Sequence, residues 1–317
     1  MRQIKDIGEF RLIERITRPP RGTDTVVVGI GDDAAVLKTT DGLQVATTDC
    51  LVEGDHFRRD WFTPFQIGRK AIESNVSDIA AMGGIPRYVL ASLALPSTLD
   101  VAFVEQLYEG MWKSCDTYSL DIVGGNMTHA EIIMISLTVL GTVEDQCLCL
   151  RSNAQSGDVI GVIGSLGYGR AGLSVLQEKL KGYDTVVKRY LEPQAYLAEA
   201  RKCAPVVHAM IDVSDGLASE VGHICRASGC GARLFQESIP LDKEILSVGE
   251  ALDEDPYEYI LYGGEDFSLV FTAPEHVVHQ CGGVIIGEII KEKKLLLSSK
   301  NGERVLQERG YDHFQVT

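Results

Sequence analysis

Five times along this 317-residue chain an apolar run of strand or helix character carries carboxylates where it meets small or polar residues. "VVVGIGDDAAVL" (26–37) turns on Gly29 and Gly31 and then sets Asp32 beside Asp33. "VATTDCLVEGDHF" ends an apolar strand in Thr47, Thr48 and Asp49 and runs on to Asp55 and His56. "ESNVSDIAAMGG" puts Asn75 and Asp78 three residues apart, on one face of a largely apolar helix. "MIDVSDGLASE" sets Asp212, Ser214 and Asp215 at a strand-to-helix junction, and "LYGGEDFSLVF" sets Glu265 and Asp266 after a glycine pair. Each has a local explanation: Ser214 or Asp215 can cap a helix beginning at Gly216, Asp78 can pair with a neighbouring Lys or Arg, and Asp266 can close a turn. Together they constrain the fold, because carboxylates gathered at ~4 Å repel by about 4 kcal/mol per pair at an effective dielectric of 20. Either the fold keeps them apart or cations hold them together.

The remaining pattern alternates strands and helices. Strands are expected at 25–30, 43–49, 87–95, 120–124 and 131–143, with helices at 64–82 and 100–118. Thr63-Pro64 starts the clearest helix and Gly83-Gly84 stop it. A second series follows "RSNAQSGD": strand 158–163, helix 170–181, a helical stretch 184–202, strand 208–213, helix 216–228, and strands at 231–235, 267–272 and near 284–297. The fold class is therefore α/β, in two domains that meet near 145–155, here divided as 1–147 and 148–317. The opening "MRQIKDIGEFRLIERI" reads as an amphipathic helix with Phe10, Ile13 and Ile16 along one side, not as a signal peptide.

Charge narrows the partners. A formal net charge of −15 with no basic patch argues against nucleic acid and anionic lipid; "KEKK" at 291–294 reads as a solvated turn between strands. No apolar run approaches the roughly 18 residues of a membrane span. Eight cysteines without a CxxC pair read as reduced thiols of a soluble, cytoplasmic protein, and "CLC" at 147–149 reads as packing.

Two glycine motifs suggest nucleotide folds and are weak. Gly29–Ala34 fits GxGxxA, but its variable positions are Asp32 and Asp33, which would repel a pyrophosphate, and strand follows. "GYGRAG" (167–172) has a better context for a dinucleotide site, although glycine turns between strand and helix are common. "GSLGYGRA" misses a P-loop, with Arg170 and Ala171 where Lys and a hydroxyl belong.

Oxygen-only ligands suit Mg2+ or Ca2+ rather than zinc. An acidic site holding several Mg2+ ions is a phosphate site, since the metals bridge two sets of negative charge. At this point "GIGDDAAVL", "TTDCLVEGDHF", "NVSDIAAMGGIP", "IDVSDGL", "GGEDF" and the terminal "GYDHF" resemble the thiamine-monophosphate kinase family. That family lies within the superfamily of aminoimidazole ribonucleotide synthetase and selenophosphate synthetase. The resemblance runs from about Gly8 to Phe314 and implies two α/β domains of the aminoimidazole ribonucleotide synthetase type, with N-terminal sheets pairing in a homodimer. It implies ATP-dependent conversion of thiamine monophosphate to thiamine diphosphate. By motif position it implies Asp33, Thr47, Thr48, Asp49, Asp78, Asn126, Asp212 and Asp215 as Mg2+ ligands, with Gly125, Asn126, Arg151 and Ser214 on ATP. His56, Glu265 and Tyr311 would hold thiamine monophosphate. Asn126 departs from the aspartate the family often has, so it brings an oxygen but no charge. The rival expectations are another ATP-dependent kinase or synthetase of the superfamily, a catalytically silent nucleotide-binding regulator, and a dehydrogenase suggested by "GYGRAG".

Overall fold

The computed structural model describes residues 25–28 and 31–314; the amphipathic segment expected at the N-terminus lies outside them. Two sheets carry the fold. The first holds β1 (Val26–Val28), β2 (Ala35–Thr39), β3 (Gly42–Val52), β4 (Ile85–Leu95), β5 (Asp121–His129) and β6 (Met134–Val143), in the order β1-β2-β3-β6-β4-β5. The second holds β7 (Val159–Ile163), β8 (Ala209–Asp212), β9 (Gly231–Phe235), β10 (Leu269–Ala273), β11 (Val284–Ile290), β12 (Leu295–Ser299) and β13 (Gly302–Val305), in the order β13-β12-β9-β11-β7-β10-β8.

Alternation gives the first sheet one dry face. Val45 and Leu51 on β3, Val89, Ala91 and Leu93 on β4, and Ile135, Leu137 and Val139 on β6 are buried against helices. Their sequence neighbours point the other way, because successive strand residues take opposite faces. The helix they cover is α1 (Pro64–Ala81), which lies against α2 (Val101–Tyr118). A capping box starts α1: the Gln66 N–H donates to Thr63 Oγ1 at 3.3 Å and the Thr63 N–H to Gln66 Oε1 at 3.0 Å, with Pro64 in the first turn. Gly83 ends it in the left-handed region (φ 68°), where a Cβ would stand 2.0 Å from the Cys147 carbonyl oxygen.

In the second domain the helices are α3 (Tyr168–Gln177), α4 (Asp184–Leu191), α5 (Leu197–Cys203), α6 (Leu217–Ser228), α7 (Lys243–Leu252), α8 (Pro256–Tyr262) and α9 (Glu275–Cys281). The helix expected through 184–202 is two, interrupted at Glu192-Pro193, where proline removes an amide donor and its ring clashes with the preceding turn. The short helices α7, α8 and α9 and the exposed strand β13 were not anticipated. Around "GYGRAG", β7 pairs antiparallel with both β10 and β11. A dinucleotide fold needs a parallel sheet there, so that reading fails. "KEKK" is the turn between β11 and β12, as expected. All eight cysteines are free thiols, and no described helix is long and apolar enough to cross a membrane.

The contact between α1 and α2 depends on two glycines. A Cβ at Gly68 would meet the Leu107 carbonyl oxygen at 1.9 Å, and one at Gly110 would meet that of Phe65 at 1.9 Å. Gly68→Ala and Gly110→Ala should each destabilise by about 1–3 kcal/mol through overpacking, read by urea denaturation. An unchanged midpoint would remove this account of the helix pair.

Candidate functional site

α1 is almost wholly buried between the two sheets and carries polar residues into the seam. Asp78 near its C-terminal end meets β3 on one side: Thr47 Oγ1 donates to Asp78 Oδ2 at 2.5 Å. Ser77 reaches β8 on the other, its hydroxyl donating to Asp212 Oδ2 at 2.5 Å. Asp33 enters from the turn between β1 and β2. Carboxylate oxygens of Asp33, Asp78 and Asp212 all lie within 4.8 Å of one another. Four separate motifs thus converge, since Thr47 and Asp49 share the inward face of β3.

Burial and mutual repulsion act together on these groups. Asp78 is held well above the usual carboxylate range by burial, then by Asp49 and Asp212. Asp212 is raised in the same way by burial and then by Asp33. Asp49 is raised by burial despite a hydrogen bond from Ser74, and Asp32 is raised to about 6 by burial and by Asp33. One cation already serves the cluster: Arg151, in the turn Arg151–Asn153, grips Asp33 with two bonds, Nε at 3.0 Å and the terminal nitrogen at 2.6 Å.

The residues fit a hard divalent cation. Every donor is an oxygen, and Asn75 Oδ1 on the same helix is buried without a hydrogen-bond partner among the described residues. Carboxylates, a hydroxyl and an amide oxygen without sulfur or imidazole are the donor set of Mg2+ or Ca2+.

The local explanations for the acidic motifs meet different fates. Neither Ser214 nor Asp215 caps α6, which starts after Gly216 with no side-chain cap. Among the described residues, Asp78 meets a threonine and other carboxylates and has no Lys or Arg partner. Asp266 does serve a turn: it accepts the N–H groups of Gly167 at 2.6 Å and Gly169 at 2.9 Å. Burial raises it to about 7. The glycine turn of "GYGRAG" therefore spends its open donors on Asp266.

A second group of expected residues lines an adjoining patch. Glu265 sits in the left-handed region (φ 62°), its N–H donating to the Ser214 carbonyl at 2.8 Å. His56 and Tyr311 are brought together through Asp55: the Tyr311 hydroxyl donates to Asp55 Oδ1 at 2.6 Å. The patch borders the acidic cluster, since His56 and Glu265 are among the charges acting on Asp49.

Three expected site residues stand apart. Thr48 points to the open face of the first sheet, where it donates to the Leu137 carbonyl at 2.9 Å and accepts from Thr138 at 3.2 Å. Gly125 and Asn126 lie on the edge strand β5; the register runs Asp49, Leu137, Ala91, Gly125. That is three strand spacings, roughly 14 Å, from Asp49. Gly125 permits the close approach of β5, because a Cβ there would meet the Ala91 carbonyl oxygen at 1.8 Å.

Sequence reasoning missed Lys70 and Glu220. Lys70 is fully buried on α1, its Nζ 2.6 Å from Glu265 Oε1 and donating to the His56 carbonyl at 2.8 Å, beside the rings of Phe62 and Tyr190. Buried Glu220 accepts the Asp215 N–H at 3.0 Å. The available signal was helical spacing: Lys70 falls two turns before Asp78, and Glu220 lies in the first turn after "SDGL".

Sheets of this order flanked by helices, with an acidic seam between them, define the class of AIR synthase related proteins. Its N-terminal domain model matches residues 31–143 and its C-terminal domain model residues 155–298. The chain is 37% identical over 275 residues to thiamine-monophosphate kinase of Mycobacterium tuberculosis, covering 86% of this chain and 83% of that one. It is 34% identical over 329 residues to the Bacillus subtilis enzyme of that name, covering 98% and 100%. A solved structure of AaThiL complexed with AMPPCP and TMP superposes with a TM-score of 0.90 at 33% identity, covering 99% of both chains. The chain belongs to the thiamine-monophosphate kinase family.

The raised carboxylates set a pH dependence. Folded Asp32, Asp78, Asp212 and Asp266 keep protons that the unfolded chain releases near the ordinary value of 3.8. The native state binds more protons, so stability falls as pH rises from there through 6 and 7. With chelator present, the thermal midpoint should be lower at pH 8 than at pH 6. Mg2+ should raise it more at pH 8, where it meets ionised ligands. A midpoint that climbs between pH 6 and 8 in chelator would contradict this.

Proposed function

We propose that this protein transfers the γ-phosphoryl group of ATP to thiamine monophosphate, giving thiamine diphosphate. The observation that carries the reading is the convergence of Asp33, Asp78 and Asp212 oxygens within 4.8 Å in a buried seam, beside a patch of aromatic rings and carboxylates. Asp33, Thr47, Asp49, Asp78, Asp212 and Asp215 would hold Mg2+, which when bound supplies neutralising charge for phosphates. Thr48 and Asn126, also expected as ligands, stand outside this group within one chain.

The chain's own residues divide the work by charge. Arg151 and Ser214 flank the cluster on the side given to ATP. His56, Glu265 and Tyr311, with Asp55, offer rings and carboxylates to the cationic thiazolium of the acceptor. Lys70 holds the Glu265 carboxylate and the His56 carbonyl in one arrangement, which fixes the floor of that patch. The acceptor oxygen belongs to a phosphate already ionised at neutral pH, so no side chain is needed to remove a proton from it. What the protein must do is align two polyanions, and transfer is then a direct in-line displacement. We place the domain division at 147/148 and the enzyme in the cytoplasm, in keeping with its free thiols.

A coupled assay should show thiamine diphosphate formed from thiamine monophosphate and ATP only when Mg2+ is present, with inversion at a chiral γ-phosphorus. Retention of configuration would sink direct transfer, and absence of product with Mg2+ would sink the activity.

We also place a second copy of the chain on the open face of the first sheet. Tyr88 and Leu90 on β4, Val123 on the edge strand β5, and Met134 on β6 are exposed there. An apolar strip of that length is an association surface. Sedimentation velocity should give a dimer that Leu90→Glu with Val123→Glu converts to monomer; a monomeric parent protein would dispose of this placement.

A further inference from the structure

A second cluster has a different chemistry from the acidic one. Ligand atoms from Asp55, His56 and His313 all lie within 4.8 Å of one another. Asp55 Oδ2 stands 3.0 Å from His313 Nδ1 and 3.8 Å from His56 Nδ1. The two imidazole rings lie 4.9 Å apart at 36°. The other carboxylate oxygen, Oδ1, is held by the Tyr311 hydroxyl at 2.6 Å. Two ring nitrogens therefore face one oxygen of a carboxylate whose orientation is fixed from behind.

We propose that Asp55, His56 and His313 form a binding site for a transition-metal cation of the Zn2+ class, which fastens the segment 311–314 to the loop 53–57.

Two imidazole nitrogens and one carboxylate oxygen match Zn2+, Co2+ or Ni2+ and are poor ligands for Mg2+. Three protein ligands leave a fourth position for water. The Val52 N–H donates to His56 Nδ1 at 3.2 Å, so that nitrogen bears no proton, and the ion replaces this long hydrogen bond. Lys70 adds little repulsion, because its charge is paired with Glu265. At His313 the cation takes the place of the shared proton between Nδ1 and Asp55. The Tyr311 bond to the far oxygen is the kind of support that orients a metal-binding carboxylate.

Binding itself does not depend on the proposed phosphoryl transfer. Competition between the ion and the thiazolium does rest on that reading, because His56 and Tyr311 serve both.

The test is calorimetric titration of the full chain with Zn2+ in millimolar Mg2+, which keeps the all-oxygen cluster filled, and needs no turnover. One ion should bind per chain, and Asp55→Asn and His313→Ala should each abolish that uptake. Tyr311→Phe, which removes only the supporting hydrogen bond, should weaken it about tenfold, and Co2+ in place of Zn2+ should give a visible absorption band that vanishes in His313→Ala. Asp78→Asn should leave the Zn2+ isotherm unchanged. Equal uptake by the parent chain and the Asp55 and His313 variants, or no uptake by the parent, would overturn the proposal.

Discussion

Everything in this structure answers to the cost of bringing carboxylates together out of water. Asp33, Asp49, Asp78 and Asp212 come from a turn, a strand, a helix and a second sheet, and they meet in one seam. Their repulsion would open that seam if nothing opposed it. The chain opposes it with hydroxyls from Thr47, Ser74 and Ser77, with the two-bond grip of Arg151 on Asp33, and with retained protons. A divalent cation is the partner this donor set would accept, and phosphates are the ligands it would bring.

The seam exists because α1 is enclosed on every side. Its apolar residues and its two close contacts at Gly68 and Gly110 lock it between the first sheet and α2. That rigidity fixes Lys70, Asn75, Ser77 and Asp78 on a single helix running from the aromatic patch to the acidic cluster. Lys70 also ties the loop at His56 to the strained turn at Glu265, so the two domains share a buried ion pair at the site. Asp266, next along that turn, anchors the glycine turn that opens α3. One short segment thus serves both the binding patch and the packing of the second domain.

Much of this was legible in the chain. The helix start at Thr63-Pro64, the glycine stop at Gly83-Gly84 and the acidic ends of strands are local signals, and each appears where its chemistry predicts. The misses have physical causes. Glu192-Pro193 splits a helix that periodicity alone continues. Helices α8 and α9, of seven residues each, are too short to display a clear period. Thr48 sits one residue from Thr47 and Asp49 and so takes the other face of its strand, a distinction that motif position ignores. Gly125 and Asn126 read as site residues in sequence, yet strand order sets β6 and β4 between them and Asp49.

By itself the sequence determined most of the strands and the longer helices, and that gathered carboxylates repel unless the fold keeps them apart or cations hold them together, because these follow from propensity, period and charge. Only the tertiary structure decided which carboxylates meet, since sheet order and the path of α1 bring residues far apart in the chain within a few ångströms. It also decided what Lys70 and His313 touch. Helical spacing could relate Lys70 to Asp78, but the partners of a buried ammonium or a tail imidazole are known only once distant segments have packed against it.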